Sequence, residues 1–171
     1  MFQSYDGIAP RVDKTAFVAS NASIIGDVVI GKNVSVWYGV VLRGDVDKIF
    51  VGEGTNIQDN TVVHTDSEHG KTAIGKFVTV GHGCILHACT VMDRAFVGMG
   101  STVMDRSIME EGSMLAAGSL LTRGKVIKSG ELWAGRPAKL LRVMSEEEIL
   151  HLQKSAESYI ELSRKYLEPS V

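Results

Sequence analysis

Apolar residues recur along this chain at intervals of six. The series runs Val12, Val18, Ile24, Ile30, Val36, Leu42, then breaks and resumes at Val51, Ile57 and Val63. It breaks again over 65–73, returns at Ile74, Val80 and Leu86, loses one residue, and continues from Val91 through Val97, Val103, Met109, Leu115, Leu121 and Ile127 to Trp133. Glycine often follows the apolar residue, as in Ile30-Gly31, Val51-Gly52, Ile74-Gly75, Val80-Gly81 and Val97-Gly98.

A helix cannot hold a six-residue period over more than a hundred residues, because its own period is 3.6. A meander of strands would alternate and would place turn signals every 8–12 residues. One very short strand per hexapeptide, wound into a solenoid, accounts for both the period and the glycines. Three hexapeptides then make one triangular coil, and about seven coils stack at the ordinary inter-strand spacing of about 4.8 Å.

The pattern changes after residue 144. Ser145 and Glu148 form a capping box, and Ile149, Leu152, Ala156, Tyr159, Ile160 and Tyr166 make one apolar stripe at helical spacing. The spacing predicts a helix from about Ser145 to Tyr166, lying against a face of the prism and covering strand edges that a solenoid would otherwise expose. The expected organisation is one domain, with a solenoid over 1–144 and the helix over 145–171. Trp133 to Lys139 is read as the turn that leaves the solenoid.

Composition narrows the class of partner. A net charge of −2 with no basic run gives no reason to expect nucleic acid. No segment approaches the roughly 18 consecutive apolar residues of a membrane span, and Met1 to Ser20 lacks the apolar core of a signal peptide. The expected location is cytoplasmic, with no membrane partner. Cys84 and Cys89 are read as free thiols.

The period also fixes where polar side chains point. If Val51, Ile57 and Val63 begin faces one, two and three of a coil, then Ile74, Val80 and Leu86 begin the same faces one coil later. Arg43, His64 and His87 each follow the apolar residue of face three and should stack in a column. Tyr38, Asp59 and His82 each stand two beyond the apolar residue of face two and form a second column. Imidazoles on adjacent rungs at about 4.8 Å are placed to share a metal ion, which needs Zn–N distances near 2.0–2.1 Å. His82 is too far round the coil to complete that site within its own chain. A neighbouring chain could supply it, because a triangular prism packs naturally about a three-fold axis. The count therefore predicts metal sites between subunits of a homotrimer. Arg43, Asp45 and Asp59 are read as ion-pairing groups that orient the site, and Gln58 as a neighbour able to steer a bound water or substrate. His69 and His151 are expected to be exposed.

Arg43-Gly44-Asp45, Asn56-Ile57-Gln58-Asp59-Asn60, His64, and Gly81-His82 with His87 together resemble the γ-class carbonic anhydrase family, over nearly the whole chain. The resemblance implies an all-β solenoid, a left-handed parallel β-helix of hexapeptide repeats with a C-terminal α-helix. It implies Zn2+, or alternatively Fe2+ or Co2+, bound by His64 and His87 of one chain and His82 of the next. It further implies reversible hydration of CO2 to bicarbonate by a metal-bound hydroxide. Arg43, Asp45 and Asp59 match the family's interface network, Gln58 its water-orienting residue and Asn56 a further active-site position. The pattern departs from the family at Val46 and Ser67, where the best-studied members carry acidic residues. Asp66, Glu68 and His69 are the candidate proton shuttles in their place, and Tyr159 is a candidate active-site tyrosine. Two other readings share the solenoid. One is a hexapeptide-repeat acyltransferase or metal-assisted thioesterase acting on an acyl-CoA, suggested by the exit Gly135-Arg136-Pro137-Ala138-Lys139. The other is a trimer stapled by metal without catalysis.

Overall fold

The structure, a computed structural model, describes residues 1–68 and 70–167. His69 lies outside the described residues, so its expected role and exposure have no structural counterpart.

Strand pairing reproduces the hexapeptide count rung for rung. Val12, Ile30, Val51, Ile74, Val91, Met109 and Ile127 are successive parallel partners down one face. Val18, Val36, Ile57, Val80, Val97, Leu115 and Trp133 run down the second. Ile24, Leu42, Val63, Leu86, Val103 and Leu121 run down the third. The fold is a parallel β-solenoid of about seven coils with one C-terminal helix. The reason is visible in burial: nearly every residue of these columns is 0–2 % exposed, while the residue before it faces outward. Each such side chain, withdrawn from water between two like neighbours, contributes about 1.5–3 kcal/mol.

Small polar residues close the corners. Thr61 donates its hydroxyl to the carbonyl of Gly81 at 3.0 Å, and Ser101 donates to that of Ala116 at 2.9 Å. The corner after the second face is taken in left-handed backbone by Gly39, Asn60, Gly83, Gly100 and Gly118.

Gly81 has a different reason to be glycine. Its backbone does not need a positive φ, but a Cβ there would lie 2.6 Å from the backbone nitrogen of Met99 in the next coil. Gly81→Ala should therefore lower stability by about 1–3 kcal/mol, read as a fall in the denaturant midpoint; an unchanged midpoint would remove the coil-spacing explanation for the apolar-Gly pairs.

Two insertions interrupt the winding. Residues 45–48 bulge out of the long strand Val41–Val51, and a second insertion follows the strand Val62–His64. The two bulges touch, since the Asp47 amide donates to the hydroxyl of Thr65 at 3.1 Å.

The helix spans Glu146–Leu167, one residue inside its predicted start. Ser145 caps it as expected: the Ser145 amide donates to Glu148 Oε2 at 2.8 Å, and the Glu148 amide donates back to Ser145 Oγ at 3.2 Å. Hydrogen bonds from Arg142, and from the Ser145 amide, pull the Glu148 carboxyl down to about 2. The helix covers a side of the prism rather than an end. Ile149 lies near Gly112 and Gly130 of the last coils, while Tyr166 stacks against Phe17 of the first, with ring centroids 5.4 Å apart. Its 22 residues, at 1.5 Å each, match the height of the stacked coils.

The solenoid exit is more than a turn. Glu131–Gly135 and Ala138–Val143 form an antiparallel hairpin, with a cis Arg136–Pro137 bond at its tip. This added strand, which the six-residue count did not reveal, covers the last rung where the helix was expected to help.

Candidate metal centre

Two separate groups of polar residues stand on the outside of the coils, and both come from the predicted columns. In the first, Arg43, His64 and His87 are successive strand partners on face three. The imidazoles of His64 and His87 lie 5.2 Å apart between centroids, close to one rung spacing. His64 Nδ1 and His87 Nε2 are 3.2 Å apart. A carboxylate holds the other nitrogen of each ring: Asp45 Oδ1 is 3.0 Å from His64 Nε2, and Asp105 Oδ1 is 2.9 Å from His87 Nδ1. Arg43 donates to the second oxygen of Asp45 at 2.6 Å.

The carboxyls of Asp45 and Asp105 both sit below the ordinary carboxylate value. Burial pushes each up, but for Asp45 the hydrogen bonds from Arg43 and His64 outweigh it. For Asp105 its own backbone amide and His87 do the same. Both therefore stay ionised as acceptors at neutral pH. Asp66 is near enough to Asp105 to push the other way, which sets a third carboxylate beside this group. Glu68 is exposed, its amide donating to Asp66 Oδ1 at 2.9 Å.

The second group lies at the corner between faces two and three, under the helix. His82, nearly half exposed, has Nδ1 2.9 Å from Asp59 Oδ2. Asn56 and Gln58 are buried; Gln58 Nε2 donates to Asn56 Oδ1 at 3.1 Å, and Asn56 Nδ2 donates to Thr79 Oγ1 at 2.9 Å. Tyr159 packs edge-on against Trp37, with centroids 5.7 Å apart. Its phenol is pushed above the ordinary value, first by burial and then by the negative charge of Asp59. Asp59 thus bridges, electrostatically, the His82 corner and the helix.

The predicted residues are therefore brought together in two halves rather than one. Arg43, Asp45, His64 and His87 share a group; Asn56, Gln58, Asp59, His82 and Tyr159 share the other. Among the described residues, no set of three or more His, Cys, Asp or Glu converges within one chain to hold a metal ion. Sequence reasoning missed Asp105, whose only signal is its place two residues beyond Val103, the rung partner of Leu86. Cys84 and Cys89 are buried free thiols, as expected, and burial pushes the Cys89 thiol up to about 12. His151 is exposed.

The donor set suits a divalent cation. Two ligands at 2.0–2.1 Å in tetrahedral array stand roughly 3.4 Å apart, close to the observed 3.2 Å between His64 Nδ1 and His87 Nε2. A carboxylate behind each ring is the usual outer support of an imidazole ligand.

A probable carbonic anhydrase of Methanocaldococcus jannaschii is 50% identical over 152 residues, covering 89% of this chain and 95% of that protein. A carbonic anhydrase of Geobacillus kaustophilus is 43% identical, covering 97% and 91%. The chain belongs to the γ-class carbonic anhydrase-like family. The mitochondrial gamma carbonic anhydrase 2 of Arabidopsis thaliana is 54% identical over 161 residues, and the chain spans about three fifths (58%) of its length. No family model matches. Among solved structures, a hexapeptide transferase family protein from Anaplasma phagocytophilum superposes with a TM-score of 0.94 at 75% identity, covering 97% of this chain and 98% of that one. A putative acetyltransferase of Bacillus cereus gives the same TM-score at 35% identity. Membership of this carbonic anhydrase-like family and a hexapeptide-repeat fold are thus consistent with each other. No helix among the described residues is long and apolar enough to cross a membrane.

Proposed function

We propose that the protein is a metal-dependent carbonic anhydrase whose sites form between the subunits of a homotrimer. The observation that carries this reading is the division of the polar residues into two incomplete halves on different surfaces of one chain. His64 and His87 supply two nitrogens from one subunit, and His82 of a neighbouring subunit supplies the third. The outward residues beside them favour such a contact. Val62 and Ile85, on the strands that carry His64 and His87, are 40 % and 47 % exposed, and Tyr38 beside the His82 column is 39 % exposed. Apolar surface at these positions is withdrawn from water when the halves meet.

His64, His87 and the neighbouring subunit's third imidazole would hold Zn2+, or Fe2+ or Co2+ in its place, and the cation would supply Lewis acidity that makes a water ionise more readily. The chain's own residues do the remaining work. Asp45, steadied by Arg43, and Asp105 orient the two imidazoles. Gln58, its amide anchored on Asn56, stands in the neighbouring half to orient a water or CO2. Asp59 holds His82 and faces Tyr159, which lines the same edge. Asp66 and Glu68, on the turn next to His64, are the carboxylates that pass the proton to buffer. A cytoplasmic location is part of this proposal; fractionation of tagged protein to membranes would remove it.

The transferase names carried by similar solved structures favour one alternative, acyl transfer or metal-assisted thioester hydrolysis on an acyl-CoA. Anaerobic purification, metal analysis and stopped-flow CO2 hydration on one sample separate the readings. We expect one cation per interface, and hydration that is lost on chelation. Turnover of acetyl-CoA without CO2 hydration would replace the reading. Chelation that dissociates the trimer, with no turnover before or after, would leave only a metal staple.

A further inference from the structure

In the coil after His87 the same outward position of the column is taken by Met104, a weak acceptor that brings no third imidazole to the pair. The residue after it reaches back instead. Asp105 follows the strand Thr102–Val103, whose Val103 pairs with Leu86, and its Oδ1 stands 2.9 Å from His87 Nδ1. The turn is pinned by two backbone bonds: the Arg106 amide donates to the carbonyl of Ala88 at 2.8 Å, and the Gly124 amide donates to that of Asp105 at 2.9 Å. The Asp105 side chain is 14 % exposed, so little water competes for it.

A neutral imidazole carries its hydrogen on one nitrogen and a lone pair on the other. A carboxylate can only accept, so Asp105 selects the His87 ring with hydrogen on Nδ1. That leaves the lone pair on Nε2, the atom facing His64 at 3.2 Å. Asp45 is shared between His64 and Arg43, whereas Asp105 Oδ1 stands 2.9 Å from His87 Nδ1.

We propose that Asp105 is a positioning residue that fixes the tautomer and direction of His87, turning Nε2 toward the shared cation. This rests on the cation-site reading above, and the test separates the two. Nitrogen-edited NMR of the full-length, metal-free protein reports the His87 tautomer without any cation. Competition against a chromophoric chelator then reports Zn2+ and Co2+ affinity for wild type, Asp105→Ala and Asp105→Asn. The wild type should show hydrogen on Nδ1. Asp105→Ala should populate both tautomers and lose about 10–100-fold in affinity while its melting temperature stays near wild type. Asp105→Asn can still accept through its amide oxygen, and should keep the tautomer and recover most of the affinity.

Hydrogen on Nε2 in the wild type, or an alanine variant that binds as tightly as wild type, overturns the proposal. So does failure of Asp105→Asn to rescue. A wild type with the Nδ1 tautomer that binds no cation overturns the cation reading itself and takes the role of Asp105 with it. Should Asp105→Ala not fold, the wild-type tautomer and the asparagine variant still decide.

Discussion

Protein carrying His82→Ala should bind no divalent cation, and neither should protein carrying His64→Ala, yet trimers assembled from both should regain part of the metal. The reasoning is geometric. Within one chain His64 and His87 stand together and His82 stands with Asp59 at another corner, so in the proposed trimer each site would take two nitrogens from one subunit and one from the next. In a ring of three containing both variants, only the interface where an intact His64 meets an intact His82 is whole. That is roughly one interface in three. Co-expression with two affinity tags isolates the mixed trimers, and metal analysis counts the ions. CO2 hydration should return in the same proportion. Mixed trimers as empty as the parents would mean that all ligands belong to one chain, and the interface reading would fail.

Leu86→Ala should damage function as well as stability. Leu86 is fully buried, stacked between Val63 and Val103, and it immediately precedes His87. Removing its side chain leaves a cavity in a narrow interior and should cost about 2–5 kcal/mol, seen as a lower midpoint in denaturant. Cation affinity should fall too, because the strand that aims His87 loses its anchor. Leu121→Ala is the control. It stands in the same column two coils further on and is equally buried. Coils of a solenoid contact only their neighbours, so its stability cost should be similar while cation affinity changes much less. Equal losses of affinity in the two variants would show that the effect is general loosening rather than local aim.

The inner columns were legible because a period of six admits one geometry. Each apolar residue named from the series is found on its expected rung, and the stacking of His64 on His87 follows from the same count. The helix was legible from its capping box and its stripe of apolar residues, and Leu152 and Ala156 are indeed buried. The hairpin Ala138–Val143 was not, since five of its six residues are exposed and give no alternation of burial to detect. Asp105 was not legible for a related reason. It belongs to a corner where many residue types fit, and its significance comes only from the carboxylate's reach toward a ring eighteen residues earlier in the sequence.

Sequence alone therefore determined the winding, the register and the identity of the residues that face outward in columns, because stacking of short strands converts spacing directly into position. Tertiary structure decided what those residues touch. It separated Asp45 and Asp105, on the histidine pair, from Asp59, on His82, and it added the hairpin strand Ala138–Val143 beyond the last rung. Side-chain reach and the packing of insertions depend on contacts between coils, and a repeat length carries no information about those.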